Sequence, residues 1–423
     1  MDTALILLCI LAFAFAVTHL EERLLGERAR TVTSSEYLVL GVLCGPLVMG
    51  LLSHDRVNAL EPLVSVINGL LGFVVGLPLR WRSRSRVARA DLGFGIATAF
   101  GAAVVITLLA GLAVAVHARL DPGAPDHLWT YAAILGAGAV AFSAQVTRRG
   151  IAQARASGPV TRLLPVAADS GRVIAIATFS LVAAARHAAV ADGTALGLGT
   201  GDLWVGIPAW IAISIAAGLA SGAIFHVFVG DQHDDERLFV ATVGLVALTS
   251  GIAHALEFSP LGLGLVAGAT VANISPAGDR VAAAVRRLDG PAAVLLMLIA
   301  GAEWRPIPLF FWVVPIGYIV IRAFVLRATC DSLVRFHREL SVQHLGVGRG
   351  LLGQSALTAA IAVNLALIDS GLLADIVVTA LLTSAVANDL WAGPLLRRML
   401  RDVGETGRQG PAAAAAAAEG ARA

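Results

Sequence analysis

Asp169 is an acid set among apolar residues, in the run Leu164-Pro-Val-Ala-Ala-Asp-Ser-Gly-Arg-Val-Ile-Ala-Ile. Ionising a carboxylate in hydrocarbon costs at least about 2.5–3.5 kcal/mol on insertion scales, so such a residue persists mainly where something uses it. A carboxylate can take either a proton or a hard cation. Ser170 follows it directly, and Ser143, in an earlier apolar run, offers a second hydroxyl. Oxygen ligands of this kind suit a monovalent cation and imply no transition metal. Arg172 lies three positions after Asp169, on the same helical face. A permanent pair between them would neutralise the acid and leave it a poor cation ligand.

These residues are carried by membrane spans. The chain has 423 residues, 57% of them hydrophobic and only 14% charged, with a mean hydropathy of +0.80. A soluble domain carries roughly 25% charged residues, and a spanning helix needs about 20 apolar ones. Apolar runs recur from end to end and predict an all-α polytopic membrane protein with about 13 transmembrane helices. Their expected limits are 3–19, 36–53, 60–79, 91–117, 129–146, 162–187, 203–229, 238–256, 259–274, 290–302, 306–329, 348–369 and 371–395. Residues 1–402 are expected to form one transmembrane domain. Residues 403–423, Gly/Ala-rich, are expected to be a disordered cytoplasmic tail. A net charge of +2 excludes nothing but argues against a nucleic-acid partner.

Arginine placement orients the spans. Arg80, Arg82, Arg84, Arg86 and Arg89 follow the third span; Arg148, Arg149, Arg155 and Arg162 follow the fifth; Arg397, Arg398 and Arg401 follow the last. All fall on one side if the N-terminus is outside and the C-terminus cytoplasmic, as the positive-inside rule favours. Cys9, Cys44 and Cys330 form no metal-spaced cluster. No Walker motif, dinucleotide fingerprint or nucleophile–base constellation stands out, so neither an enzyme nor a cofactor is expected.

Two spans are interrupted. The fifth reads Gly136-Ala-Gly-Ala-Val-Ala-Phe-Ser-Ala-Gln145, and the twelfth places Gly353, Gln354 and Ser355 in an apolar setting. Seven places apart in the order of spans, they cross the membrane in opposite directions. Matching interrupted helices in oppositely oriented halves point to an inverted repeat, whose unwound backbone can hold an ion near the midplane. Close helix packing is the other reading of such Gly- and Ser-rich stretches.

With these runs in order, the chain resembles the monovalent cation:proton antiporter superfamily, of the sodium/hydrogen exchanger and potassium-efflux type. Leu20-Glu-Glu-Arg, Leu40-Gly-Val-Leu-Cys-Gly-Pro and Gly69-Leu-Leu-Gly-Phe-Val-Val-Gly are similar to its first three helices. Gly158-Pro-Val-Thr-Arg leads into the sixth, and Phe258-Ser-Pro-Leu-Gly-Leu-Gly-Leu-Val-Ala-Gly resembles the ninth. Ile321-Arg322-Ala, Gly353-Gln-Ser and Asn388-Asp-Leu-Trp-Ala-Gly-Pro resemble the last three. The resemblance implies exchange of Na+ or K+ for protons by alternating access across the cell membrane, in a homodimer within the lipid bilayer. It also implies a core-supporting role for Arg322, and Arg172 and Gln354 are expected to support the core with it.

The family's site is an Asp-Asp or Asn-Asp pair on the sixth helix, and here that place reads Ala168-Asp169-Ser170. If Asp169 takes the second position, the essential acid is kept beside Ala168. If it takes the first, the essential acid is replaced by Ser170. The alternatives to antiport are a transport-dead homologue acting as a membrane sensor or assembly partner, and an organic-anion transporter on the same fold.

Overall fold

The computed structural model describes residues 35–80, 89–120, 128–190, 203–229, 234–337, 340 and 345–406. The expected first span, 3–19, the arginines at 82, 84 and 86, and most of the expected tail lie outside these residues. The described helices are α1 (Ser35–Cys44), α2 (His54–Asn58), α3 (Glu61–Gly76), α4 (Arg89–Leu120), α5 (Leu128–Ala139), α6 (Ala144–Ala154) and α7 (Pro159–Val190). They continue as α8 (Leu203–Val229), α9 (Asp235–Ala255), α10 (Pro260–Ile274), α11 (Gly278–Ala302), α12 (Val313–Val334), α13 (Ala356–Ile368) and α14 (Leu372–Asp402). Short 3-10 turns at Leu309–Trp312 and Val347–Leu351 precede α12 and α13. The protein is all-α, and among the described residues six helices are long and apolar enough to cross a membrane. Leu309, Phe310 and Phe228 are more than 80% exposed. Such a belt would aggregate in water and is at home in hydrocarbon, where helices satisfy their own backbone groups.

Local chemistry sets the ends. Ser259 caps α10 by accepting from Gly262 N, with Pro260 in the first helical position. Asp234 does the same for α9. The eleventh helix begins at Gly278, well before the apolar run expected at 290–302. Its first half carries Asp279 and Arg280, so hydropathy alone marks only the greasier end of a helix that charged residues also continue.

The described residues divide between two compact units. The first takes those of Met1–Arg82, Ile176–Trp312 and Ala359–Leu382. Its centre is the close packing of α3 on α10. A methyl added at Gly72 would lie 2.1 Å from the Leu261 carbonyl, and one at Gly264 would lie 2.2 Å from that of Gly69. Small residues let the two backbones touch, as in membrane interfaces that have no hydrophobic effect to drive them. The second unit takes the residues of Ser83–Ala175, Val313–Thr358 and Thr383–Ala423, and it holds every candidate site residue.

Candidate functional site

Both expected interruptions lie in the second unit, and they pair with each other. Helix α5 stops at Ala139 and α6 starts at Ala144; the chain between them is buried. The other break runs from the 3-10 turn ending at Leu351 to the start of α13. Ser143 N donates to the Gly353 carbonyl (2.9 Å) and Ser355 N to that of Ala141 (3.0 Å). Phe142 and Gln354 face each other in an isolated antiparallel bridge. The two unwound segments therefore satisfy part of each other's backbone.

The remaining carbonyls fall to side chains, because the last turn of a helix leaves acceptors without intrahelical donors and a buried unpaired one is costly. Arg322, 1% exposed, donates from Nε to the Ala139 carbonyl and from a terminal nitrogen to that of Leu352, each at 2.8 Å. A planar fork of donors can span two carbonyls from two chain segments. Its positive charge also stands at the negative end of α5. Gln354 donates to the Gly138 carbonyl (2.9 Å) and accepts from Ser384 (2.8 Å) and Asn388 (3.1 Å). Tyr318 donates its hydroxyl to the Leu135 carbonyl (2.9 Å).

Asp169 sits on α7, and its carboxylate meets arginines. One terminal nitrogen of Arg148 donates to its Oδ2 at 2.7 Å, and Arg172 approaches Oδ1 at 3.8 Å. The Asp169 side chain is 29% exposed, that of Arg148 55% and that of Arg172 13%. Arg148 lies on α6, the short helix that starts where the crossing ends. Two residues beyond Asp169, the helix presses on the crossing itself: a methyl at Gly171 would lie 2.2 Å from the Phe142 ring and 2.6 Å from the Val140 carbonyl. At about 100° per residue, position 171 is turned about 200° from position 169. The acid and the tight contact are thus on different sides of α7, and fully buried Ala168 shares the side of Gly171.

The two expected hydroxyls are engaged on their own helices. Ser143 caps α6, accepting from Val146 N at 3.2 Å, and Ser170 donates to the Val166 carbonyl at 2.8 Å. The structure therefore joins Asp169 to Arg172, and it gathers Arg322 and Gln354 at the crossing. Ser143 borders that crossing through its backbone. Elsewhere, Glu303 is buried and faces Arg305 at 3.9 Å, while Glu257 is largely exposed.

Four residues that take part here, Arg148, Ser384, Asn388 and Glu405, are given no site role by the sequence. Arg148 follows the fifth apolar run and reads as a loop arginine, although Ser143 followed by Ala-Gln-Val is a helix-start signal that puts it on a new helix. Ser384 and Asn388, four residues apart on α14, share the Gln354 oxygen; polar residues at that spacing in an apolar helix were the available signal. Glu405 lies beyond the boundary expected at 402. Its carboxylate, 1% exposed, accepts from Val160 N (2.8 Å), Thr161 N (2.8 Å) and the Thr161 hydroxyl (2.6 Å) at the start of α7.

No family model and no curated protein matches the chain. Among solved structures, 45 chains match. One is the sodium proton antiporter MjNhaP1 from Methanocaldococcus jannaschii at pH 8, with a TM-score of 0.63 and 14% sequence identity, covering 95% of this chain and 100% of that one. This chain has the fold of a cation:proton antiporter. At 14% identity the likeness is one of fold. The antiporter fold here carries the paired interruptions, with Arg322 and Gln354 at their crossing and Asp169 alongside on α7.

Proposed function

We propose that the chain is a secondary antiporter exchanging a monovalent cation, Na+ or K+, for protons across the cell membrane. Residues 1–402 form the transport domain, as a homodimer, with the N-terminus outside and the C-terminus cytoplasmic. The observation that carries this reading is the setting of Asp169. It is a partly exposed carboxylate on a membrane-length helix whose other side packs on the unwound segment at Val140 and Phe142, and it is held by an arginine that is itself more than half exposed.

In this mechanism Asp169 binds proton and cation by turns. Protonation removes its charge and releases Arg148. Loss of the proton restores the charge, for which Arg148 and an incoming cation compete. Arg148 is the group that yields, because water can solvate it when it swings away. Ser170 and Ser143 lend hydroxyl oxygens, and Arg322 with Gln354 keep the crossing rigid. No catalytic bond-making is needed, and the driving force is the ion gradient.

A second reading has one observation in its favour. Among these three side chains, Arg148 and Arg172 outnumber the single carboxylate of Asp169. Such a trio suits an organic anion, or a lasting ion pair in a protein that no longer transports.

Proteoliposomes decide between these readings. Proton movement is measured under Na+, K+ and choline, for the wild type and Asp169→Asn. Antiport predicts flux with Na+ or K+ but not choline, lost in the Asn variant. No wild-type flux with either cation, beside an active control exchanger, would retire it in favour of the second reading.

A further inference from the structure

A groove of about 650 Å³ runs between α4 and α12, wholly within the second unit. It follows α4 from Ala97 to Leu109 and α12 from Val320 to Leu333. The two helices run antiparallel here. Asp91 meets His337 at 3.1 Å, and a methyl at Gly101 would have only Thr329 nearby, at 3.9 Å. At 1.5 Å per residue the groove is about 18 Å long, close to one leaflet of a hydrocarbon core about 30 Å thick.

The walls ask for no polar partner. Thr329 and Ser332 supply the hydroxyls of the lining, and each donates to its own helix, to the Val325 and Ala328 carbonyls at 2.8 Å. The other lining residues are apolar, and Val320 and Phe324 are 63% and 72% exposed.

One end has a different character. Arg335 stands two residues past Leu333, and Arg89 stands eight residues before Ala97 on the same i, i+4 ridge of α4. Both are exposed. The Asp91–His337 contact lies two residues from each and brings these ends together. Asp91 is thereby engaged, and Asp331 accepts from Gly346 N at 2.6 Å and faces Arg327 at 3.5 Å. Neither Arg89 nor Arg335 pairs with a carboxylate among the described residues. At the opposite end Leu112, Val116, Val313 and Ile316 are exposed and apolar.

We infer that this groove holds one acyl chain of an anionic phospholipid, with its phosphate headgroup at the Arg89 and Arg335 end. The chain lies lengthwise, against walls that need nothing a hydrocarbon lacks. A guanidinium binds phosphate through paired N–H donors. A headgroup with net negative charge is drawn to basic residues at a membrane surface, whereas the ammonium of a zwitterionic headgroup offsets much of that attraction. A second membrane helix is a poorer occupant. Such helices seat on small residues, and α12 lines the groove with Val320, Ile321 and Phe324. The site shares no residue with the Asp169 locus and does not depend on antiport.

The test places the full chain in nanodiscs of phosphatidylglycerol and phosphatidylcholine, equal in amount and identical in acyl chains. Phe324 is replaced by p-benzoylphenylalanine, a photo-cross-linker that attacks C–H bonds, and the adducts are identified by mass. Leu109 takes the cross-linker if the first variant does not fold. Leu219, exposed on α8 in the first unit, is the reference position. In the groove, phosphatidylglycerol adducts are expected to exceed phosphatidylcholine adducts by about fivefold or more relative to Leu219, as one arginine near a membrane surface implies. Arg89→Gln combined with Arg335→Gln should bring the groove to the reference ratio and leave lipid adducts in place. A wild-type groove ratio equal to that at Leu219 overturns the proposal. So does an excess that the double glutamine variant leaves unchanged. A cross-link to protein in place of lipid, whether a second copy, another part of this chain or a further polypeptide, overturns it too.

Discussion

Arg148 donates a 2.7 Å hydrogen bond to Asp169 from 21 residues earlier in the chain. The contact exists because the fifth span breaks at Val140 and restarts at Ala144, which sends α6 along α7 with Arg148 facing the acid. An acid that sequence reading left facing Arg172 alone is thus held from two sides, and the stronger hold is the more exposed one.

Arg148→Gln should make the acid easier for a cation to reach. An exposed ion pair contributes about 0.2–1 kcal/mol, so the KM for Na+ or K+ in proteoliposomes should fall by up to about fivefold. The turnover rate should change less than KM. A KM equal to wild type would mean that Arg148 does not compete with the ion.

Arg322 should resist even conservative replacement. Lysine brings one compact ammonium where two carbonyls need a fork, and methionine leaves both carbonyls unpaired, at about 1–3 kcal/mol each. Thermal unfolding in detergent should rank wild type above Arg322→Lys and that above Arg322→Met. A methionine variant as stable as wild type would show that the half-helix ends do not need this charge.

Gly264→Ala and Gly244→Ala should part sharply. A methyl at Gly264 meets the Gly69 carbonyl at 2.2 Å, whereas one at Gly244 meets nothing within 4 Å. The first should depress the yield of monodisperse protein or its unfolding temperature. The second should be neutral or gain up to about 1 kcal/mol from helix propensity. Equal behaviour of the two would argue against the close approach of α3 and α10.

Glu405→Ala removes the acceptor for two backbone amides and a hydroxyl at the start of α7. Losing a helix cap costs about 0.5–2 kcal/mol, and hydrogen bonds to a charged group contribute about 1.5–3 kcal/mol. Unfolding should therefore come several degrees earlier, and Glu405→Gln should recover part of the loss. Truncation after residue 406 should leave stability intact. If it destabilises as much as Glu405→Ala, the cap is not the reason.

Much of the architecture was legible because hydrophobicity is read residue by residue. The spans expected at 203–229 and 259–274 coincide with α8 and α10 to within a residue or so. Gly353 lies in one break itself, whereas Gly136 lies inside α5, four residues before the other, where an added methyl would meet Thr107 and the Ala103 carbonyl. Helix α11 outran its apolar run because charged residues form helices as readily as apolar ones. The polar bonds were harder to read. Gln354 was singled out by its setting, but its partners Ser384 and Asn388 lie 30 and 34 residues away, and no local pattern carries that distance.

The amino-acid sequence by itself determined an all-α membrane chain with two opposed interruptions and one acid on an apolar helix, because the bilayer imposes length and polarity on each segment separately. Only the tertiary structure decided which groups meet. It joined the two breaks at Phe142 and Gln354, turned Gly171 rather than Asp169 toward them, and brought Arg148 to the carboxylate. Helical phase and close approach set those contacts, and both depend on what packs alongside, which no single segment encodes.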